Sequence, residues 1–135
     1  MDTSPVIYFV EKHSVFGPIV AEIFRRFEIG PLMGVASALT YTETLTKPLS
    51  AGDGVLIRSY RHLLSRAPGI ICPSLGRETA ERAAQLRASY RLTTPDALHI
   101  AAALSARCDA FLTGDIALKR VAAEIQVLVV SELTL

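Results

Sequence analysis

The chain has no tryptophan, only two cysteines in 135 residues, and no apolar run near the ~18 residues that a membrane-spanning helix needs. Two isolated thiols, Cys72 and Cys108, exclude a disulfide framework and lack the paired spacing of a zinc site or redox motif. They are expected to be buried thiols in a reducing cytoplasm. The N-terminus lacks the basic stretch of a signal peptide, because Asp2 stands where a lysine or arginine would. A phosphate-cradling P-loop is also missing, since "AGDG" (51–54) has no following lysine. No serine or cysteine has a credible histidine and acid partner set. Low-complexity tracts, repeats and linkers are absent, so residues 1–135 are expected to form a single domain.

Half of the residues are hydrophobic and 20% are charged, which suits a compact core with little disorder. Net charge is only +1, but its distribution is uneven. Residues 58–91 hold seven arginines against Glu78 and Glu81, a local excess of +5, while each flank carries −2. A basic middle between acidic ends suits a polyanion held over an acidic, metal-binding centre, although arginines also space out along solvated helix faces.

Short apolar runs alternate with helical stretches. The pattern predicts helices over Pro5–Lys12, Pro18–Glu28, Thr40–Thr46, Val55–Arg66 and Glu78–Tyr90, the third halted by Lys47-Pro48. The second carries Ile19, Val20, Ile23, Phe24 and Phe27 on one stripe and stops at Gly30. "TTPDALHIAAALSA" starts a further helix, with Thr94 as cap, Pro95 first and Asp96 next. Leu32–Ala38, "GIICP", "AFLTGD" and "IQVLVV" read as strands. Strands alternating with helices argue for a parallel sheet covered on both faces, with its active site at the carboxyl ends of the strands.

Four acids stand out on that layout: Asp2 where a first strand would end, Glu43 in a helix, Asp96 in a first helical turn and Asp115 after "AFLT". Each has an ordinary explanation alone, as a chain end, an exposed helix residue, a helix-favouring charge or a turn residue. Together they would repel unless protonated or bound to cations, and hard divalent cations prefer oxygen ligands. His99 stands three residues beyond Asp96 on one helix face, but a histidine in an alanine-rich helix is expected to be packed or hydrogen-bonded. His13 and His62 lack any constellation. Asp53 is expected to be structural and Asp109 exposed.

The blocks "DTSPVIYFVE", "SALTYTETL", "RLTTPDALHIAAAL" and "AFLTGDIAL" resemble, in that order, the motif blocks of PIN-domain ribonucleases, and most closely the VapC toxins of toxin–antitoxin pairs. The resemblance implies a three-layer α/β/α sandwich with a central parallel sheet, and Mg²⁺- or Mn²⁺-dependent cleavage of RNA. It implies a pocket of Asp2, Glu43, Asp96 and Asp115, with Thr3 and Thr113 beside them. It further implies a cytoplasmic homodimer held inactive by a cognate antitoxin. A catalytically weak RNA-binding or protein-interaction module is the alternative. A haloacid-dehalogenase-type enzyme would want a second aspartate where Ser4 stands. Two departures from the family pattern matter. Gly114 replaces a common asparagine, and only Met1 precedes "DT" where relatives have several apolar residues, so Asp2 is expected to be less firmly held.

Overall fold

A computed structural model describes residues 1–134. Helix α1 (Thr3–Val10) is followed by α2 (Gly17–Ile29), strand β1 (Gly34–Val35), α3 (Leu39–Ala51), α4 (Gly54–Arg66) and β2 (Ile70–Ile71). Then come α5 (Arg77–Tyr90), α6 (Thr94–Ser105), β3 (Ala110–Thr113), a 3₁₀ turn (Ile116–Val121), β4 (Gln126–Val129) and a last 3₁₀ turn (Val130–Glu132).

The sheet is parallel, as expected, but is built from two pairs, β1 with β2 and β3 with β4. Residues Met1 and Asp2 lie between the pairs. The Met1 ammonium donates to the Val35 carbonyl at 2.6 Å, and the Asp2 amide donates to the Leu112 carbonyl at 2.8 Å. These two bonds join β1 to β3 across a position that would otherwise be a gap. Burial pushes the Met1 ammonium pKa down, because the charged form loses water there.

Alternation along β3 explains the layering. Phe111 packs into a core with Leu86, Ile100, Leu118 and Val121, on the α5–α6 side. Its neighbour Leu112 packs on the other face, with Val6, Val20, Phe24, Tyr60 and Leu64 from α1, α2 and α4. Successive strand residues point to opposite faces, so one strand feeds two cores and the result is a three-layer α/β/α sandwich.

Several boundaries differ from the sequence expectation for local reasons. Helix α1 begins at Thr3 because the Asp2 carboxylate accepts from the Thr3 amide and acts as its cap. Helix α3 runs through Pro48 to Ala51, ending at Gly52 with a left-handed φ of 67°. Lys47-Pro48 therefore does not halt it, and Pro48 is buried inside the helix. The cap of α6 is Thr93, not Thr94, which places Asp96 third in the helix. Asp53 caps α4 by accepting from the Leu56 amide at 3.1 Å, the structural role expected of it. Gly69, at φ +74°, lies so close to helix α2 that a Cβ there would stand 1.9 Å from the Phe27 carbonyl oxygen. Only glycine lets β2 approach α2 this way.

The basic middle of the chain does not form one patch. Arg58, Arg61 and Arg66 ride on α4 and Arg77, Arg82 and Arg87 on α5, and these helices cover opposite faces of the sheet. Arg82 is also paired with Glu124 at 2.7 Å. Cys72 and Cys108 are free and half-buried, and burial pushes both thiols up. No helix among the described residues is long and apolar enough to cross a membrane.

Candidate active site

Parallel strands end on one edge, and three site residues come from that edge directly. Thr113 closes β3, Asp115 follows two residues later, and Ser37 follows β1. Helices α1 and α6 begin there too, so Asp2 and Asp96 sit at helix N-termini, where the backbone dipoles favour negative charge. Glu43 arrives from α3.

Two threonines tie the acids together. The Thr113 hydroxyl, fully buried, donates to Asp2 Oδ2 at 2.7 Å and accepts from the Asp115 amide at 3.0 Å. The Thr3 amide donates to Asp2 Oδ1 at 2.8 Å, while the Thr3 hydroxyl donates to Glu43 Oε1 at 2.8 Å. Asp2 is therefore the floor of the site, buried and fixed by both carboxylate oxygens and its own amide. That overturns the expectation that it would be loosely held. The short segment suffices, because the Thr3 amide at the start of α1 and the Thr113 hydroxyl on β3 hold the carboxylate in addition to the backbone bond to Leu112.

Asp96 is half-buried and Asp115 lies at the exposed rim, where its carboxylate also caps the 3₁₀ turn by accepting from the Ala117 amide at 2.9 Å. Burial pushes the Asp96 carboxyl pKa up; the Thr93 hydrogen bond opposes this, and the charges of Asp2 and Asp115 add to it. The acids are thus close enough to repel one another.

His99 is the residue that sequence reasoning set aside and the structure brings in. It is hydrogen-bonded as expected, but its partners belong to the site: Nε2 lies 2.5 Å from Glu43 Oε1 and 3.1 Å from the Thr3 hydroxyl, with Asp2 Oδ1 4.0 Å away. The signal for it was the three-residue step from Asp96 on one helix face.

Tyr8 fills the space that Gly114 leaves. A Cβ at position 114 would stand 2.6 Å from the Tyr8 hydroxyl and 3.1 Å from Ser4 Cβ. The ring is held in turn by Phe16 and His13, at centroid distances of 5.2 and 4.8 Å. Gly114→Asn is accordingly expected to cost about 1–3 kcal/mol by overpacking. Adding Tyr8→Phe should recover part of that loss, and urea midpoints of the four chains in the cycle measure the coupling.

Donor chemistry at this edge is all carboxylate and hydroxyl oxygen apart from His99, which fits a hard divalent cation. Among the described residues, however, no three histidine, cysteine, aspartate or glutamate side chains converge into a closed cation site. Mg²⁺ commonly binds through one or two carboxylates and keeps several waters, so an open set of acids with mutual repulsion satisfies its needs. Two cavities elsewhere, of about 650 and 500 Å³, are lined by none of the four acids. Apolar shape does not mark this site; charge does.

The geometry defines an α/β protein with an acidic oxygen-donor site at the carboxyl edge of a parallel sheet. Its family follows from the sequence: the PIN-domain family model matches residues 1–124, and the chain belongs to the PIN-domain family. A chain described as "Toxin-antitoxin complex from Klebsiella pneumoniae" has a similar structure, with a TM-score of 0.70 at 23% identity over 98% of this chain and 97% of that one. No curated protein matches.

Proposed function

We propose that this chain is a metal-dependent endoribonuclease, a VapC-like toxin whose single domain spans residues 1–135. The observation that carries the reading is the linkage of Asp2, Glu43 and Asp115 through Thr3 and Thr113, with Asp96 close enough to feel two of those charges. Family membership and the description of the Klebsiella pneumoniae neighbour support it. Asp2, Asp96 and Asp115 would hold Mg²⁺ or Mn²⁺ directly or through water, with Glu43 completing the set. When bound, such an ion supplies an acidified water and offsets charge on the reacting phosphate.

The chain's own residues do the rest. Asp2, fixed by three hydrogen bonds, sets the depth of the site, and Asp115 at the rim faces solvent and the approaching phosphate. Glu43, held through Oε1, presents Oε2 to orient a water. Arg58, Arg61 and Arg66 on α4 are exposed and suit the phosphates of a single RNA strand. A cytoplasmic setting, a homodimer and a cognate antitoxin complete the proposal.

One observation favours the alternative, a catalytically weak RNA-binding or interaction module: among the described residues no three histidine, cysteine, aspartate or glutamate side chains form a closed cation site. Incubating the purified protein with total cellular RNA, with Mn²⁺ or with EDTA, and mapping new 5′ ends separates the two. The nuclease reading expects Mn²⁺-dependent 5′-phosphate ends. Their absence on every RNA, with RNA binding retained, would establish the module instead.

A further inference from the structure

We infer that His99, backed by Ser37, is the positioning residue that holds Glu43 in the acidic site. The inference rests on the reading that these acids take a divalent cation. Both residues are almost fully buried, although each carries polar atoms that need partners. They come from different parts of the fold, Ser37 from the end of β1 and His99 from α6, and they meet at 3.0 Å between Ser37 Oγ and His99 Nδ1.

One placement of protons satisfies every atom along this chain. The Leu39 amide donates to Ser37 Oγ at 3.2 Å and uses one of that oxygen's two lone pairs, and the hydroxyl proton then donates to Nδ1. Nδ1 is then an acceptor and the ring proton sits on Nε2. That nitrogen faces Glu43 Oε1 at 2.5 Å, where the carboxylate oxygen accepts. The Thr3 hydroxyl donates to the same oxygen. Every polar atom from the Leu39 amide to Glu43 is then satisfied by the tautomer that carries its proton on Nε2.

The consequence falls on Glu43. Among the described residues, both of its protein hydrogen bonds use Oε1, which leaves Oε2 for a ligand. Glu43 stands on an exposed face of α3, where a glutamate would normally sample many rotamers. Two buried donors, one from α1 and one from α6, restrict it to the orientation that faces the site. This is the way partners behind a metal-binding group fix its orientation and raise affinity.

The test uses the intact chain and three variants, His99→Leu, His99→Gln and Ser37→Ala. Mn²⁺ binding is followed by the electron paramagnetic resonance of the free ion, and ¹⁵N-histidine NMR reports the tautomer. His99→Leu is expected to weaken Mn²⁺ binding about tenfold or more. His99→Gln, whose side-chain amide can present an N–H near the former Nε2, should recover most of it. The wild-type His99 spectrum should show a proton on Nε2 and none on Nδ1, with that bias reduced in Ser37→Ala. Wild-type affinity in His99→Leu, or a ring protonated on Nδ1 alone, would overturn the assignment. Where His99→Leu fails to fold, Ser37→Ala decides it, since unchanged Mn²⁺ affinity together with an unchanged His99 tautomer in that variant would also overturn it. Wild type that binds no Mn²⁺ instead defeats the cation reading. In that case a shift of the His99 Nε2 signal in Glu43→Gln still shows whether the two side chains are joined.

Discussion

Asp96→Asn is expected to lower Mn²⁺-dependent RNA cleavage by more than about a hundredfold while leaving the metal-free protein at least as stable as wild type. The first half follows from removing a carboxylate from the oxygen-donor set; changing even an indirect partner of a metal commonly costs 10–100-fold. The second half follows from electrostatics. Asp96 is held above its ordinary value of 3.8, chiefly by burial and further by Asp2 and Asp115. Between that value and the raised one, the folded chain binds more protons than the unfolded chain, so stability falls as pH rises through the window. Above the window the charged carboxylate imposes its full penalty, and below 3.8 it imposes none. The neutral amide escapes the penalty at pH 7. Urea midpoints in EDTA should therefore show a gap in favour of Asp96→Asn at neutral pH that closes on acidification. A gap of opposite sign, or one that widens in acid, would mean that repulsion does not shape this site.

Asp2→Ala should behave differently, losing activity and stability together. Its carboxylate accepts from the Thr3 amide and the Thr113 hydroxyl, and Thr113 is wholly buried. Truncation leaves both donors unpaired, a cost of about 2–4 kcal/mol for the two. Asp2→Asn keeps one carbonyl oxygen as an acceptor and should cost less. The urea midpoint at pH 7 orders the three chains as wild type, Asp2→Asn, then Asp2→Ala. Equal midpoints would place Asp2 outside the hydrogen-bonded network. The two aspartates thus separate a group whose charge costs stability from one that fastens the N-terminal segment to β3.

Helices were the readable part of this sequence, because apolar periodicity and Gly30 mark them locally. The α/β/α layering was equally accessible from alternating strands and helices. Strand lengths were not: Leu32–Ala38 contributes only Gly34 and Val35 to pairing, because pairing depends on a neighbour that is distant in sequence. Pro48 was read as a stop, but α3 continues to Ala51 with Pro48 packed inside it. At the site, the four acids could be picked out by residue type, whereas their anchoring by Thr3 and Thr113 could only be guessed at. The His99–Glu43 contact was hidden for the same reason, since 56 residues separate the partners and no periodicity links them. Gly114 looked like a missing polar group until Tyr8 was seen to occupy the space beside it.

The Thr113–Asp2 hydrogen bond spans 111 residues of sequence. During synthesis Asp2 leaves the ribosome 111 residues ahead of its anchor on β3, and a growing chain folds only as far as it has emerged. Contacts this distant form late, because a long loop must close before they can stabilise anything. A nascent chain therefore cannot assemble the acidic edge until β3 has appeared. Under the proposed ribonuclease activity, this connectivity withholds the acidic edge from the translating messenger until β3 has emerged.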